Sequence, residues 1–210
     1  MLDLDLLTAY CENVSLPQSE LLKELDRETN LKTLKPRMLS GHLQGALLHM
    51  LIKIHGSKRI LEIGSFTGYA AICMATALPE KGELITLEAN KELKYISSKY
   101  FKKAGLEHTI TQHFGDAKEL VKTLEGSFDF VFIDAGKKDN EYYYEKTLPM
   151  VPAGGLILVD NVLWTGKVLH EKKDKNTQII HDFNQKMARD ERIESLYLPL
   201  RDGLAIFRKK

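Results

Sequence analysis

Five short apolar runs, each closed by a glycine or an acid, leave few folds open to this chain. Arg59–Ile63 (RILEI) runs into Gly64, Glu83–Leu87 (ELITL) into Glu88, and His108–His113 into Gly115-Asp116. Phe128–Ile133 runs into Asp134, and Leu156–Val159 into Asp160. Helical spacing separates several of them: Tyr69–Leu78, stopped by Pro79; Glu92–Ala104, ended by Gly105; and, late in the chain, Thr177–Arg189. Strands alternating with helices predict an α/β fold, a mostly parallel sheet covered on both faces. Ile193–Leu198 and Leu204–Arg208, joined by the turn signal Arg201-Asp202-Gly203, read as a closing antiparallel pair. The first 55 or so residues read as helices. Leu2, Leu4, Leu6 and Leu7 begin an amphipathic stretch, Ser19–Glu28 continues, Pro36 interrupts, and His42–His55 is strongly apolar. At 210 residues the expectation is one domain, 1–210, with a helical cap over residues 1–55.

In such a sheet ligands sit beyond the carboxyl ends of the strands, where the strand order reverses. Glu62 to Gly68, Glu88, Asp116, Asp134 and Asp160-Asn161 are therefore expected to crowd one edge. The turn LEIGSFTGYAA spaces its glycines as GxxxG, at Gly64 and Gly68, with Glu62 before them and Ser65 and Tyr69 as further candidate cofactor contacts within the segment. A dinucleotide fingerprint is GxGxxG, built to cradle a pyrophosphate. A carboxylate here would repel that group and welcome a cation. S-adenosylmethionine (SAM) carries no phosphate; it has a sulfonium and an ammonium. The bland alternative is a tight strand-to-helix turn. Glu88 could accept both hydroxyls of a ribose. Asp116 could accept from an adenine amino group with Ala117 leaving room for the ring, or simply cap a helix.

Asp134, Asp160 and Asn161 would form an all-oxygen set suited to Mg²⁺, Mn²⁺ or Ca²⁺. Such a cation acidifies a hydroxyl that joins it. Each acid taken alone reads equally well as a cap. Lys137, three residues after Asp134, could take a proton from an acceptor; Lys138 is its rival. Trp164, the only tryptophan, could wall an aromatic acceptor or pack in the core.

The formal net charge of +1 favours neither nucleic acid nor an anionic membrane. Cys11 and Cys73 stand in no metal or disulfide pattern, and Cys73 lies in an apolar run. The N-terminus lacks the basic start and apolar core of a signal peptide, and no run approaches the roughly 20 apolar residues of a membrane span. A cytoplasmic protein is expected.

The motifs LEIGSFTGYAA, TLEAN, GDA, FDFVFIDAGK and GGLILVDNVLWTGKV, with the late DGLAIFR, resemble the cation-dependent O-methyltransferases of the catechol and caffeoyl-coenzyme A type. The resemblance covers about Pro36 to Arg208. It implies a Rossmann-like methyltransferase fold, a seven-stranded sheet with an antiparallel final strand, and a homodimer. It implies metal ligation by Asp134, Asp160 and Asn161, and SAM contacts at Glu62, Gly64, Gly68, Glu88, Asp116 and Ala117, with Asp134 adjoining. Lys137 matches the lysine proposed as general base. Met38, Ser40 and His42 lie in a segment that in relatives closes over cofactor and substrate. The chain departs from many relatives at Gly136, where they carry an acid, and at Asn140, where a tyrosine is frequent.

The expected activity is methyl transfer from SAM to a hydroxyl of a small, catechol-like acceptor. One alternative acceptor is a hydroxylated wobble uridine of tRNA, held by Lys172, Lys173, Lys175, Arg208, Lys209 and Lys210. More distant readings are a nicotinamide-dependent oxidoreductase, against which the glycine spacing argues, and an inactive SAM-binding module.

Overall fold

The structure is a computed structural model that describes residues 4–210; Leu2 lies outside them. Three helices come first: α1 (Leu4–Val14), α2 (Glu20–Lys32) and α3 (His42–His55). Then follow β1 (Arg59–Ile63), α4 (Tyr69–Ala75), β2 (Glu83–Glu88), α5 (Lys94–Lys103), β3 (Ile110–Phe114), α6 (Ala117–Leu120) and β4 (Phe130–Ile133). The chain continues through α7 (Asn140–Thr147), β5 (Leu156–Asp160), α8 (Lys175–Met187), β6 (Ile193–Leu198) and β7 (Leu204–Lys209).

The seven strands form one sheet in the order β3-β2-β1-β4-β5-β7-β6. β1 to β5 pair in parallel, and β7 runs antiparallel between β5 and β6. This is the expected seven-stranded, mostly parallel sheet, and the second strand of the closing hairpin is the one that joins it to β5. Successive side chains of a strand point to opposite faces, which sorts the core into two layers. Ile60, Leu84, Phe130 and Leu158 pack with Leu25, Leu48, Ile52, Ile72 and Tyr100 from α2 to α5. Leu61, Ile63, Val131 and Val159 pack on the other face with Tyr143, Tyr144, Phe183 and Met187 from α7 and α8. Each fully buried Leu, Ile or Phe contributes roughly 1.5–3 kcal/mol, so covering both faces is what holds a parallel sheet together.

Several boundaries differ from the sequence expectation. α4 stops at Ala75, not Leu78, because Ala77 and Leu78 bond back three residues to Met74 and Ala75 and so tighten the last turn. α5 begins at Lys94, behind a short 3-10 turn capped by Asn90, whose side chain accepts from Glu92 N. β4 begins at Phe130, because the Phe128 N–H bonds to the Met150 carbonyl instead of entering the ladder. The short α6 and the aromatic α7 (NEYYYEKT) carry no clear helical periodicity and were not expected. Among the described residues, no helix is long and apolar enough to cross a membrane.

Candidate active site

Strand register builds the site. Ile63 pairs with Leu87 on one side and with Ile133 on the other, and Ile133 pairs with Val159. The next residue of each strand therefore falls in one row: Glu88, Gly64, Asp134, Asp160. Glu88 pairs with Phe114, and Asp160 pairs with Leu204, which brings Gly115 and the Arg201–Gly203 turn to the two ends of that row. Neighbouring strands lie about 4.8 Å apart, so Asp134 and Asp160 are held side by side. The strand order reverses between β1 and β4, where a ligand crevice is expected.

A cavity of about 1120 Å³ opens over this row. Its wall includes Gly64, Phe66, Glu88, Asp116, Ala117, Asp134, Lys137, Tyr143, Asp160, Asn161 and Trp164, with Pro36 to Met38 forming a lip and Arg201 and Asp202 also in the lining. A shallower depression of about 680 Å³ on α8 is lined by charged side chains remote from the strand ends.

Gly64 makes the row possible. Its φ is +98°, and an added Cβ would lie 2.4 Å from the Asp134 carbonyl oxygen. Only glycine allows both that conformation and that approach. Glu88 is fixed by two backbone donors: Phe66 N–H reaches Oε2 at 2.7 Å and Asn90 N–H reaches Oε1 at 2.8 Å. Each oxygen keeps a second lone pair for a diol. Asp116 caps α6 by accepting from Lys118 N at 2.8 Å and also lines the cavity, so the two readings of that residue are compatible.

Asp160 is buried, and both its oxygens accept: Oδ1 from Asn161 N–H at 2.7 Å, Oδ2 from Gln44 Nε2 at 2.9 Å. Asn161 sits at φ +61°, a left-handed conformation that asparagine tolerates better than most residues. Lys137 Nζ donates to Asp134 Oδ1 at 2.8 Å. Burial pushes the Asp134 carboxyl up to about 6; the Lys137 ammonium pulls it down and Asp160 pushes it further up. Two adjacent carboxylates and an amide oxygen make a hard donor set whose mutual repulsion a divalent cation would relieve. Among the described residues, no three His, Cys, Asp or Glu side chains are gathered into a metal cluster; the third donor of the expected set is an amide, Asn161.

Six of the residues nominated for cofactor and substrate stand off the cavity wall. Glu62 is completely buried, on the sheet face shared with Phe132 and Leu158, where Thr86 Oγ1 donates to its Oε2. Burial pushes its carboxyl up to about 8, opposed by the Thr86 hydrogen bond and reinforced by Asp134 and Glu88. Its Oε1 is buried without a partner among the described residues, an acceptor that would suit an ammonium reaching below the glycine turn. Ser65 Oγ accepts instead from Gln112, and Gly68 packs under the Phe101 ring. Tyr69 points into the core, where its hydroxyl accepts from Gln18. His42 begins α3, outside the lining, while Ser40 contributes its carbonyl to Arg201.

Gln44, Tyr143, Arg201 and Asp202 were not nominated. Gln44 lies on an apolar helix with nothing to mark it, and Arg201 and Asp202 read only as a turn. The departure at Asn140 is buried at the start of α7, with both amide atoms lacking a partner among the described residues. The basic residues proposed to hold tRNA do not surround the cavity. Arg208 pairs across from Leu156 at the start of β5, the opposite edge of the sheet, and Lys209 bonds the carbonyls of Leu148 and Val151.

The family model for O-methyltransferases matches residues 12–210. Caffeoyl-CoA O-methyltransferase 1 of Zea mays is 37% identical over 205 residues, covering 91% of this chain and 79% of its own length. The SAH-bound structure of the Podospora anserina methyltransferase PaMTH1 superposes with a TM-score of 0.91 at 30% identity, over 99% of this chain and 95% of that one. The O-methyltransferase TomG of Streptomyces achromogenes, solved in complex with SAM, gives 0.89 at 28% identity and covers all of both chains.

Proposed function

The chain belongs to the SAM-dependent O-methyltransferase family, and from that premise we propose that it methylates a hydroxyl of a small, catechol-like aromatic acceptor with a divalent cation, most simply Mg²⁺, at Asp134, Asp160 and Asn161. The observation that carries this reading is the register row, which sets Asp134 and Asp160 next to Gly64 and Glu88 on one cavity floor.

In this proposal the SAM adenosine lies between Glu88, which takes the ribose hydroxyls, and Asp116 with Ala117 at the base. Met38, Gly64, Phe66 and Asp134 adjoin it, and Glu62 offers its unpartnered oxygen to the ammonium. Bound SAM supplies a methyl on a positive sulfur, which departs as a neutral thioether when the acceptor oxygen takes the carbon. A divalent cation held by Asp134, Asp160 and Asn161 would acidify an acceptor hydroxyl that joined it. Lys137, in its neutral amine form, is the candidate to accept the proton released, and the buried Asp160 holds its oxygens in fixed directions. Trp164, Tyr143 and Phe66 offer flat apolar walls for an aromatic ring. Alignment and charge placement do most of the work.

The proposal takes residues 1–210 as one functional unit whose helices 1–55 cap the site, working as a homodimer in the cytoplasm. Exposed Tyr10, Val14 and Leu16 at and just after α1, and Met50 and Ile54 on α3, are apolar surface a second copy would cover. The free thiols of Cys11 and Cys73 suit a reducing compartment. Light scattering in solution tests the dimer. No observation favours the tRNA acceptor, and family membership replaces the oxidoreductase reading. A methyl-transfer screen of catechols, caffeoyl esters and hydroxylated tRNA, each with and without Mg²⁺, tests the whole assignment. Mg²⁺-dependent turnover of the catechols is the expected result.

A further inference from the structure

The turn between β6 and β7 carries two neighbouring residues that tie down two different segments beside the cavity. Asp202 holds one. Its carboxylate Oδ1 accepts from Thr165 N–H at 2.7 Å, and its carbonyl accepts from Leu163 N–H at 2.8 Å and Trp164 N–H at 3.2 Å. Arg201 holds the other. Its guanidinium donates through one terminal nitrogen to the Ser40 carbonyl and through the other to the Arg37 carbonyl at 3.3 Å, across more than 160 positions of sequence.

Arg201 occupies a costly backbone conformation, φ +50°, in a region that glycine enters freely. Among the described residues no carboxylate lies within ion-pair distance of it, although its charge reaches Asp134 and pulls that carboxyl down. Its planar fork is spent on two carbonyls of the lip that also carries Met38. Gly41, at φ +77°, lies beside the guanidinium: a Cβ there would meet Arg201 Cζ at 3.9 Å. Leu39 anchors the lip in the core and Ser40 is buried, while Leu34 and Met38 are exposed; along the backbone, the Met38 and Leu39 N–H groups reach only the Lys35 and Pro36 carbonyls within one short turn among the described residues.

We propose that Arg201 is a positioning residue: a clasp that holds the 37–40 lip against the strand-end row and so sets the affinity for SAM without touching the reacting atoms. The inference rests on the reading of this cavity as the SAM site.

Arg201→Gly tests it, since glycine suits the left-handed position and removes the clasp without endangering the fold. Arg201→Lys keeps the charge but cannot span both carbonyls. In Arg201→Gly the amides of Met38 and Leu39 are expected to exchange with deuterium about tenfold faster, and the SAM dissociation constant by calorimetry and the KM for SAM to rise about tenfold. The kcat at saturating SAM should stay within about twofold, with Arg201→Lys between the two proteins. Unchanged exchange and SAM affinity in both variants would overturn the proposal, as would a tenfold loss of kcat at unaltered KM. If the unmodified protein bound no SAM, the SAM-site reading would fall, while the exchange comparison would still decide whether Arg201 holds the lip.

Discussion

Gln44 Nε2 donates a 2.9 Å hydrogen bond to Asp160 Oδ2, joining a fully buried side chain of α3 to the last residue of β5. With Asn161 N–H on Oδ1, this bond fixes the carboxylate plane and leaves each oxygen a further lone pair. Gln44→Leu should change global stability by only about 1 kcal/mol, since it also removes the unpartnered Gln44 Oε1. It should weaken Mn²⁺ binding about 10- to 100-fold, as expected when the partner of a metal ligand is lost. Mn²⁺ titration followed by electron paramagnetic resonance checks this; equal affinities would remove Gln44 from the account.

Lys137→Met should lower kcat by about 10²–10⁴-fold while SAM affinity holds within a few fold. Steady-state kinetics beside calorimetry separates the two. A rise in KM for SAM with kcat preserved would assign Lys137 to binding instead of proton removal.

Gly64→Ala forces a Cβ into the Asp134 carbonyl at φ +98°. The cost should exceed about 1 kcal/mol in urea denaturation, and SAM binding should fall with it, because β1 and β4 must part for the methyl group to fit.

Glu62 gives a pH signature. Its carboxyl is pushed up to about 8 in the fold, against an ordinary 4.5. The folded state therefore holds a proton that the unfolded chain releases, and stability falls as pH rises from about 4.5 to about 8. Glu62→Gln in the SAM-free protein should remove that slope. Its stability relative to the unmodified protein should climb by on the order of a few kcal/mol across the window and level off above it. Denaturation at pH 5, 6.5 and 8 reads this, and a difference that did not change with pH would refute it.

Much of this was legible in the residues. Apolar runs closed by Gly64, Glu88, Asp134 and Asp160 carry the parallel sheet, because a strand buried on both faces has to be apolar and its end is where polar groups can begin. Once those strands lie in register, their end residues share an edge by geometry alone. What could not be read was orientation. Glu62 and Tyr69 flank the glycine turn in sequence, yet strand alternation turns Glu62 toward the helical layer and α4 buries the Tyr69 ring. Gln44 and Arg201 were invisible for the opposite reason: each acts through a partner more than 100 positions away. The position of β7 between β5 and β6, which carries Arg201 and Asp202 to the cavity, follows from strand order and not from any local pattern.

Cation dependence decides the rest. Methyl transfer from SAM to a catechol should vanish when the protein is stripped with a chelator and return on adding Mg²⁺, with SAM still bound throughout; Asp160→Ala should lose turnover and not regain it with Mg²⁺. Full turnover in chelator would mean that Asp134, Asp160 and Asn161 do not work through a metal ion.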